Sequence, residues 1–238
     1  MSPPDHAVVP FSEPPYLSGL PSPYYSESHL RWQKTCRAFI SENLLKHAIE
    51  WEREETVPEH VFTKFAEANF LIPNLPAPLP VTWLKRLGIH EMPGGIKIEE
   101  WDYLHTAIYI DEVFNLFYYT NTCKTSRRLT QMLQMARSGL AGPGLSITVG
   151  MAFGVPPILK FGSPQLQERF IPGLLQGKKR ACIAITEPDA GSDVANIKTS
   201  AVKSKDGKHY IINGTKKWYI VPRKIQLGCV LILVFQDH

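Results

Sequence analysis

Ile183-Ala184-Ile185-Thr186-Glu187-Pro188-Asp189-Ala190-Gly191-Ser192-Asp193 is the stretch on which the fold turns. Its first residues are apolar and β-prone, and they run into a loop rich in hydroxyl, carboxylate and glycine residues. Such a loop presents backbone N–H groups and short polar side chains of the kind that receive an anion. Local chemistry alone also allows a plainer reading, a strand ending in an Asx-type turn, and favours it. What decides between the two lies on either side.

Upstream, apolar residues recur at helical spacing. Ser26 or Ser28 is placed to cap a helix in which Trp32, Cys36, Phe39, Ile40, Leu44, Ala48 and Trp51 share one face. Pro58 suits the first turn of a second helix carrying Val61, Phe62, Phe65 and Asn69, with the Pro73 to Pro80 stretch as its end. After a Gly94-Gly95 turn, Trp101, Leu104, His105 and Ile108 mark a third helix. A fourth is predicted over 147–159, disturbed by Pro156-Pro157. A fifth follows Ser163 as cap and Pro164 at its first turn, and stops before Gly177. Near Ala181 the period changes. Ala181 to Ile185, Thr199 to Val202 and His209 to Ile212 read as strands, with Asp206-Gly207 as a hairpin turn between the last two. The fold class is therefore α+β: an all-α helical domain over 25–180, then an incomplete antiparallel β domain over 181–238. Residues 1–24 precede both as an extended arm, since seven prolines within 1–23 oppose helix and ladder alike.

Composition narrows the function classes. Lys plus Arg (26) exceeds Asp plus Glu (22) by four, spread along the chain, which argues against a nucleic-acid partner. Lys178-Lys179-Arg180 is the one compact basic run and reads as a solvated loop. Cys36, Cys123, Cys182 and Cys229 are far apart without a CxxC pair, as expected of thiols in a reducing compartment. The N-terminus shows no targeting pattern, and Val230 to Phe235 is too short to span a bilayer. An intracellular, cytoplasmic protein without membrane association is the expectation. Gly142-Pro143-Gly144 has Ile147 where a dinucleotide fingerprint needs a third glycine. No P-loop, HExxH or GxSxG occurs, and the eight histidines have no ligand spacing, so no metal is expected.

The literal order Ile185-Thr186-Glu187-Pro188-Asp189-Ala190-Gly191-Ser192-Asp193-Val194, then Lys198-Thr199-Ser200-Ala201, then Tyr210-Ile211-Ile212-Asn213-Gly214-Thr215-Lys216-Lys217-Trp218, resembles the signature of the acyl-CoA dehydrogenase family. A weaker helical resemblance reaches back to about residue 25, through Gly162-Ser163 and Gly144-Leu145-Ser146. The resemblance implies an FAD site. Ile185 and Thr186 match positions that hydrogen-bond the flavin pyrimidine edge, Ser192 matches a residue at the pyrophosphate where Gly191 permits close approach, and Trp218 matches a tryptophan against the isoalloxazine ring. It also implies acyl-CoA as substrate, an electron-accepting protein as partner and a homo-oligomer in the full-length form. The implied reaction is α,β-desaturation, in which a carboxylate removes the α-proton and the β-hydride passes to the flavin. Asp193 and Glu187 are assigned to turn and loop structure.

Three features depart from the family pattern. Its catalytic base lies in a C-terminal helical domain, so no catalytic residue is assigned in this chain, and an inactive, truncated form is expected. Trp218 is followed by Tyr219-Ile220-Val221-Pro222, with Ile220 where the family has a flavin-facing threonine, and 219–238 reads as an atypical tail. Residues 113–134 interrupt the helix that Asp111-Glu112 and Met135-Ala136 otherwise continue. Val113 codons begin GT and a Gln134 codon can end AG, so translated intron and genuine insertion both stand as readings. Two functional alternatives stay open: a flavin oxidase of the same superfamily, and a non-catalytic fragment or binding module. Unpaired, Val230 to Phe235 is an expected aggregation site.

Overall fold

In the computed structural model, residues 15–54, 56–114, 141–217 and 229–233 are described. Most of the expected arm, most of the 113–134 insertion, Trp218 and most of the 219–238 tail lie outside them. The described part of the arm is a 3-10 turn at Pro15–Ser18, whose Tyr16 ring stacks on Tyr25 at 3.8 Å.

Helix α1 (Glu27–Asn43) starts where the cap residues place it. Ser26 has extended backbone angles, and its N–H donates to Nδ1 of His29 three residues on. Trp32, Cys36, Ile40 and Leu44 are buried on one face. The periodic pattern extends to Trp51, but the helix does not. Asn43 Nδ2 donates to the Phe39 carbonyl at 2.9 Å, taking the acceptor of the preceding turn, and a 3-10 turn at Leu45–His47 leads into a separate α2 (Ala48–Arg53).

Helix α3 (Glu59–Glu67) follows Pro58, which sits at the N-cap, and buries Val61, Phe62 and Phe65. It ends well before the proline stretch. Asn69 adopts φ 60, and Phe70 N–H returns to the Phe65 carbonyl at 2.7 Å, a C-terminal lock that a short amide side chain tolerates. A short α4 (Val81–Arg86) was not expected; only Leu84 is buried in it, too few apolar positions to register as a period. Gly94-Gly95 turns a small antiparallel pair, β1 (Glu91–Met92) and β2 (Ile96–Lys97).

Helix α5 (Tyr103–Phe114) buries His105, Ile108, Tyr109, Glu112 and Val113 against α1. Helix α6 (Ala141–Phe161) starts earlier than expected and runs unbroken through Pro156 and Pro157. Its Gly144–Phe161 window has a mean hydropathy of 1.4, enough by composition for a membrane span. Yet Ile147, Met151, Val155 and Ile158 are buried among the core residues, and the helix packs on β3, α7 and α2. Helix α7 (Pro164–Leu175) is capped as expected: Ser163 Oγ accepts from Leu166 N–H, and Gly177 follows with φ +68.

Strand β3 (Arg180–Ala184) opens the β region. β4 (Ser200–Lys203) and β5 (Tyr210–Asn213) form the expected antiparallel hairpin, in register Ser200 to Asn213 and Lys203 to Tyr210, about the Asp206-Gly207 turn. β3 itself pairs in parallel with β6 (Cys229–Leu233) over five residues. The run expected to be an exposed, aggregation-prone edge is thus engaged in a ladder along Cys229–Leu233. On the hairpin, Tyr210, Ile211 and Ile212 are exposed.

Candidate flavin-binding cleft

The cleft is built where α6 meets β3. Two glycines one helical turn apart bring them together: a Cβ on Gly150 would stand 2.1 Å from the Ala181 carbonyl oxygen, and one on Gly154 would stand 2.5 Å from Ala181 Cβ. Any larger residue would hold the strand away, because neither backbone can yield locally. Beside this contact lies a cavity of about 200 Å³. Its apolar wall includes Phe62, Leu71, Leu145, Ile147 and Met151; its polar groups come from Ser146, Thr186, Lys179, Arg180 and Lys217.

Ile185 and Thr186, at the C-terminal end of β3, both line this cavity and are half-buried. Their backbone is fixed from below. The Ile185 carbonyl accepts from Lys216 Nζ at 3.1 Å, and the Thr186 carbonyl accepts from Lys217 N–H at 2.8 Å. Glu187, next in sequence, is buried and faces the other way. Its Oε1 accepts from Lys216 Nζ at 2.8 Å and from Thr199 N–H at 3.0 Å, and its Oε2 accepts from Lys198 N–H at 2.6 Å. The Lys216 ammonium, then Thr199 and the Lys198 N–H, hold its carboxyl down to about 2. A carboxylate so engaged is not a proton acceptor at neutral pH; it is a tie between β3 and the two ends of the hairpin. Asp193 is structural too, heading a 3-10 turn at Val194–Asn196 and accepting from Asn196 Nδ2 at 2.8 Å.

Gly191 and Ser192 sit on the exposed loop after the Glu187–Ala190 bridge and do not line the cavity; a Cβ on Gly191 would meet nothing within 4 Å. Trp218 lies outside the described residues. The structure therefore gathers Ile185 and Thr186 at one wall, with Gly191 and Ser192 on the loop that leads away from it. Sequence reasoning missed the cationic side of the cleft. The Lys178-Lys179-Arg180 run is not simply a solvated loop: Arg180 stacks on the Phe62 ring at 3.5 Å, and Lys179 Nζ donates to the Arg169 carbonyl while lying over Phe170. The signal available was position, since that run directly precedes β3 and its last residue begins the strand.

Two family models match this chain: one described as acyl-CoA dehydrogenase, N-terminal domain, over residues 26–79, and one described as acyl-CoA dehydrogenase, middle domain, over residues 182–231. The acyl-CoA dehydrogenase apdG of Emericella nidulans is 65% identical over 210 residues, 88% of this chain and 43% of that protein. The chain belongs to the acyl-CoA dehydrogenase family. The acyl-CoA dehydrogenase AFT10-1 of Alternaria alternata is 30% identical over 212 residues, and here too the chain spans 43% of the relative's length. Among solved structures, an acyl-CoA dehydrogenase from Bacillus anthracis, described as complexed with FAD, superposes with a TM-score of 0.62 at 21% identity, over 93% of this chain and 31% of that one. One from Geobacillus kaustophilus gives 0.58 at 24% identity, over 84% and 41%. The fold is that of the family, helical domain first and β domain second. The middle-domain match extends through residue 231, so it takes in the start of β6 and corrects the expectation that the whole of 219–238 departs from the family.

Proposed function

We propose that this chain supplies the helical and β-domain wall of an FAD site in an acyl-CoA dehydrogenase that desaturates the acyl chain of a CoA thioester. The observation that carries the reading is the placement of Ile185 and Thr186 at the cavity between α6 and β3, braced by Lys216, Lys217 and Glu187. The residues fit a flavin edge. Backbone donors and a threonine hydroxyl at a fixed strand end suit the polar rim of a conjugated ring, and the apolar wall suits its face. Gly191 and Ser192 would hold the pyrophosphate on the adjoining loop, with Trp218 against the ring. When bound, FAD supplies the hydride acceptor. The chain's own part is to orient it, to exclude water with Phe62, Leu71, Ile147 and Met151, and to place donors where charge accumulates on reduction.

Neither buried carboxylate of the described residues serves as the base for the α-proton. Glu187 is held by Lys216, and Glu112 by Gln33 at 2.7 Å and by Arg37 at 2.7 Å and 3.1 Å. We assign that step to the remainder of the whole protein, together with reoxidation by an electron-accepting protein and assembly into a homo-oligomer. A cytoplasmic location is part of the same proposal.

The test is flavin titration of the purified chain. Flavin fluorescence is expected to quench on binding, and Thr186→Val to weaken binding about tenfold through loss of one hydroxyl contact. Anaerobic bleaching by acyl-CoA thioesters of graded length then reports the reaction in the whole protein. A well-folded chain with no affinity for FAD, or one whose affinity ignores Thr186→Val, would sink the reading.

A further inference from the structure

The starts of α1 and α5 meet through three polar side chains, Ser26, Ser28 and Asp102, and one imidazole pair, His29 and His105. Asp102 is the residue before α5, and its Oδ1 accepts from Leu104 N–H at 2.9 Å and His105 N–H at 3.1 Å, so that oxygen is committed to capping. Among the described residues its Oδ2 meets His29 Nε2, at 3.2 Å, and the side chain is about half exposed. His29 and His105 are 4% and 1% exposed and stack with ring centroids 4.0 Å apart. Both point at the same carboxylate, His29 Nε2 at 3.1 Å and His105 Nδ1 at 2.8 Å from Oδ1. One ligand atom from each of the three residues lies within 4.8 Å of the other two.

We infer that His29, Asp102 and His105 form a site for a zinc-class divalent metal ion. Two imidazoles and one carboxylate are the donor set preferred by the later first-row divalent ions, and three protein ligands with one side open to solvent leave a fourth position for water. Metal–nitrogen bonds of roughly 2.1 Å place neighbouring ligand atoms about 3.4 Å apart in a tetrahedron, a spacing within reach of three ligand atoms that already lie within 4.8 Å of one another. The outer layer is present as well. Ser26 Oγ lies 2.8 Å from His29 Nδ1, and Ser28 Oγ lies 3.2 Å from His105 Nε2. Each imidazole that gives one nitrogen to the metal moves its proton to the other, where a serine oxygen stands as acceptor, the arrangement that orients ligating histidines.

The competing account is a closed hydrogen-bonded clasp. In it His29 Nδ1 accepts the Ser26 N–H while its Nε2 donates to Asp102, and His105 either donates from Nδ1 to Asp102 Oδ1 or accepts the Asp102 N–H there at 3.3 Å, with Nε2 bonded to the Ser28 hydroxyl. Metal binding gives up the Ser26 N–H contact and both hydrogen bonds from the rings to Asp102, and puts three metal–ligand bonds in their place. The ion would pin the first turns of α1 and α5, the two helices that pack most extensively on each other in this domain. The inference is independent of the flavin reading.

The test uses the full chain, stripped with a chelator and titrated with Zn²⁺ by calorimetry and with Co²⁺ by visible absorption. One equivalent is expected, with the intense d–d bands of a four-coordinate cobalt site. His105→Gln is expected to abolish uptake, Ser28→Ala to weaken it about 10- to 100-fold, and His47→Ala, at an exposed pair with Glu50, to leave it unchanged. Where His105→Gln does not fold, imidazole proton resonances of the wild type serve instead: Zn²⁺ is expected to shift two histidines and no others. No uptake by a natively folded chain overturns the proposal. So does uptake indifferent to His105→Gln and Ser28→Ala, or a Zn²⁺ shift spread over other histidines.

Discussion

Replacing Gly150 with alanine tests the contact on which the cleft depends. In an exposed helix interior this change stabilises by about 1 kcal/mol, since alanine loses less backbone entropy. At position 150 the new methyl would stand 2.1 Å from the Ala181 carbonyl oxygen, far inside the 3.0 Å limit that real Cβ atoms respect. Helix and strand must separate by roughly 1 Å, and overpacking of this kind costs about 1–3 kcal/mol or more. Because the clashing atom is backbone on a strand paired over five residues, the upper end applies. Set against the propensity gain, the net loss is about 2 kcal/mol, or roughly 4–8 °C in Tm for a chain of this size. Gly173→Ala is the control. It is also helical, but its Cβ would meet only the flexible end of Lys179 at 3.0 Å, so it is expected to be neutral or stabilising. Thermal unfolding followed by far-UV circular dichroism compares the three proteins. A Gly150→Ala melting point at or above that of the wild type refutes the close approach of α6 to β3.

Two further changes probe the tie below the cleft and the core above it. Glu187 has its carboxyl depressed from an ordinary 4.5 to about 2, so its contribution to stability is complete above pH 4.5 and fades as pH falls toward 2. Urea midpoints across that window are expected to decline less steeply in Glu187→Gln, and an unchanged acid slope counts against the Lys216 contact. Tyr109 is fully buried, donates to the Phe70 carbonyl at 2.8 Å and receives Asn74 Nδ2 at 3.4 Å. Tyr109→Phe removes both contacts with little change of volume and is expected to lower stability by about 1–2 kcal/mol, measurable by urea denaturation; no change would mean that the hydroxyl is not needed there.

What could be read from the sequence was what local chemistry decides. Ser26 and Ser163 cap the helices they were expected to cap, Trp32, Cys36 and Ile40 lie on the buried face, and Asp206-Gly207 turns the hairpin. Misreadings arose where a second interaction outvoted the pattern. The apolar period runs from Trp32 to Trp51, but Leu44 leaves the helical angles at the C-cap, beside an Asn43 side chain turned back to the Phe39 carbonyl. Pro156-Pro157 suggested a break, yet α6 continues because burial of Val155 and Ile158 holds the turn on both sides. The β3–β6 ladder was invisible because a short apolar run shows that a strand wants a partner and not which partner it takes. In the cleft, Ile185 and Thr186 could be anticipated from the string around them. Lys179 and Arg180 could not, since three adjacent cations look alike whether solvated or laid across Phe170 and Phe62.

Glu187 explains why the string after β3 is what it is. Its backbone follows Ile185 and Thr186 just past the end of β3, while its carboxylate gathers the N–H groups of Lys198 and Thr199 just before β4 and the ammonium of Lys216 just after β5. Both ends of the hairpin are therefore referred to one point just past β3, and Lys216 closes the loop by also reaching the Ile185 carbonyl. A hairpin with Tyr210, Ile211 and Ile212 exposed has little apolar burial of its own to fix its position. The polar knot does that instead, and a charge with three partners in a buried place is more directional than an apolar contact would be. The acidic residue most conspicuous in the motif thus acts on the cleft without entering it: moving Glu187 moves the strand end, and with it the donors that Thr186 and Ile185 present.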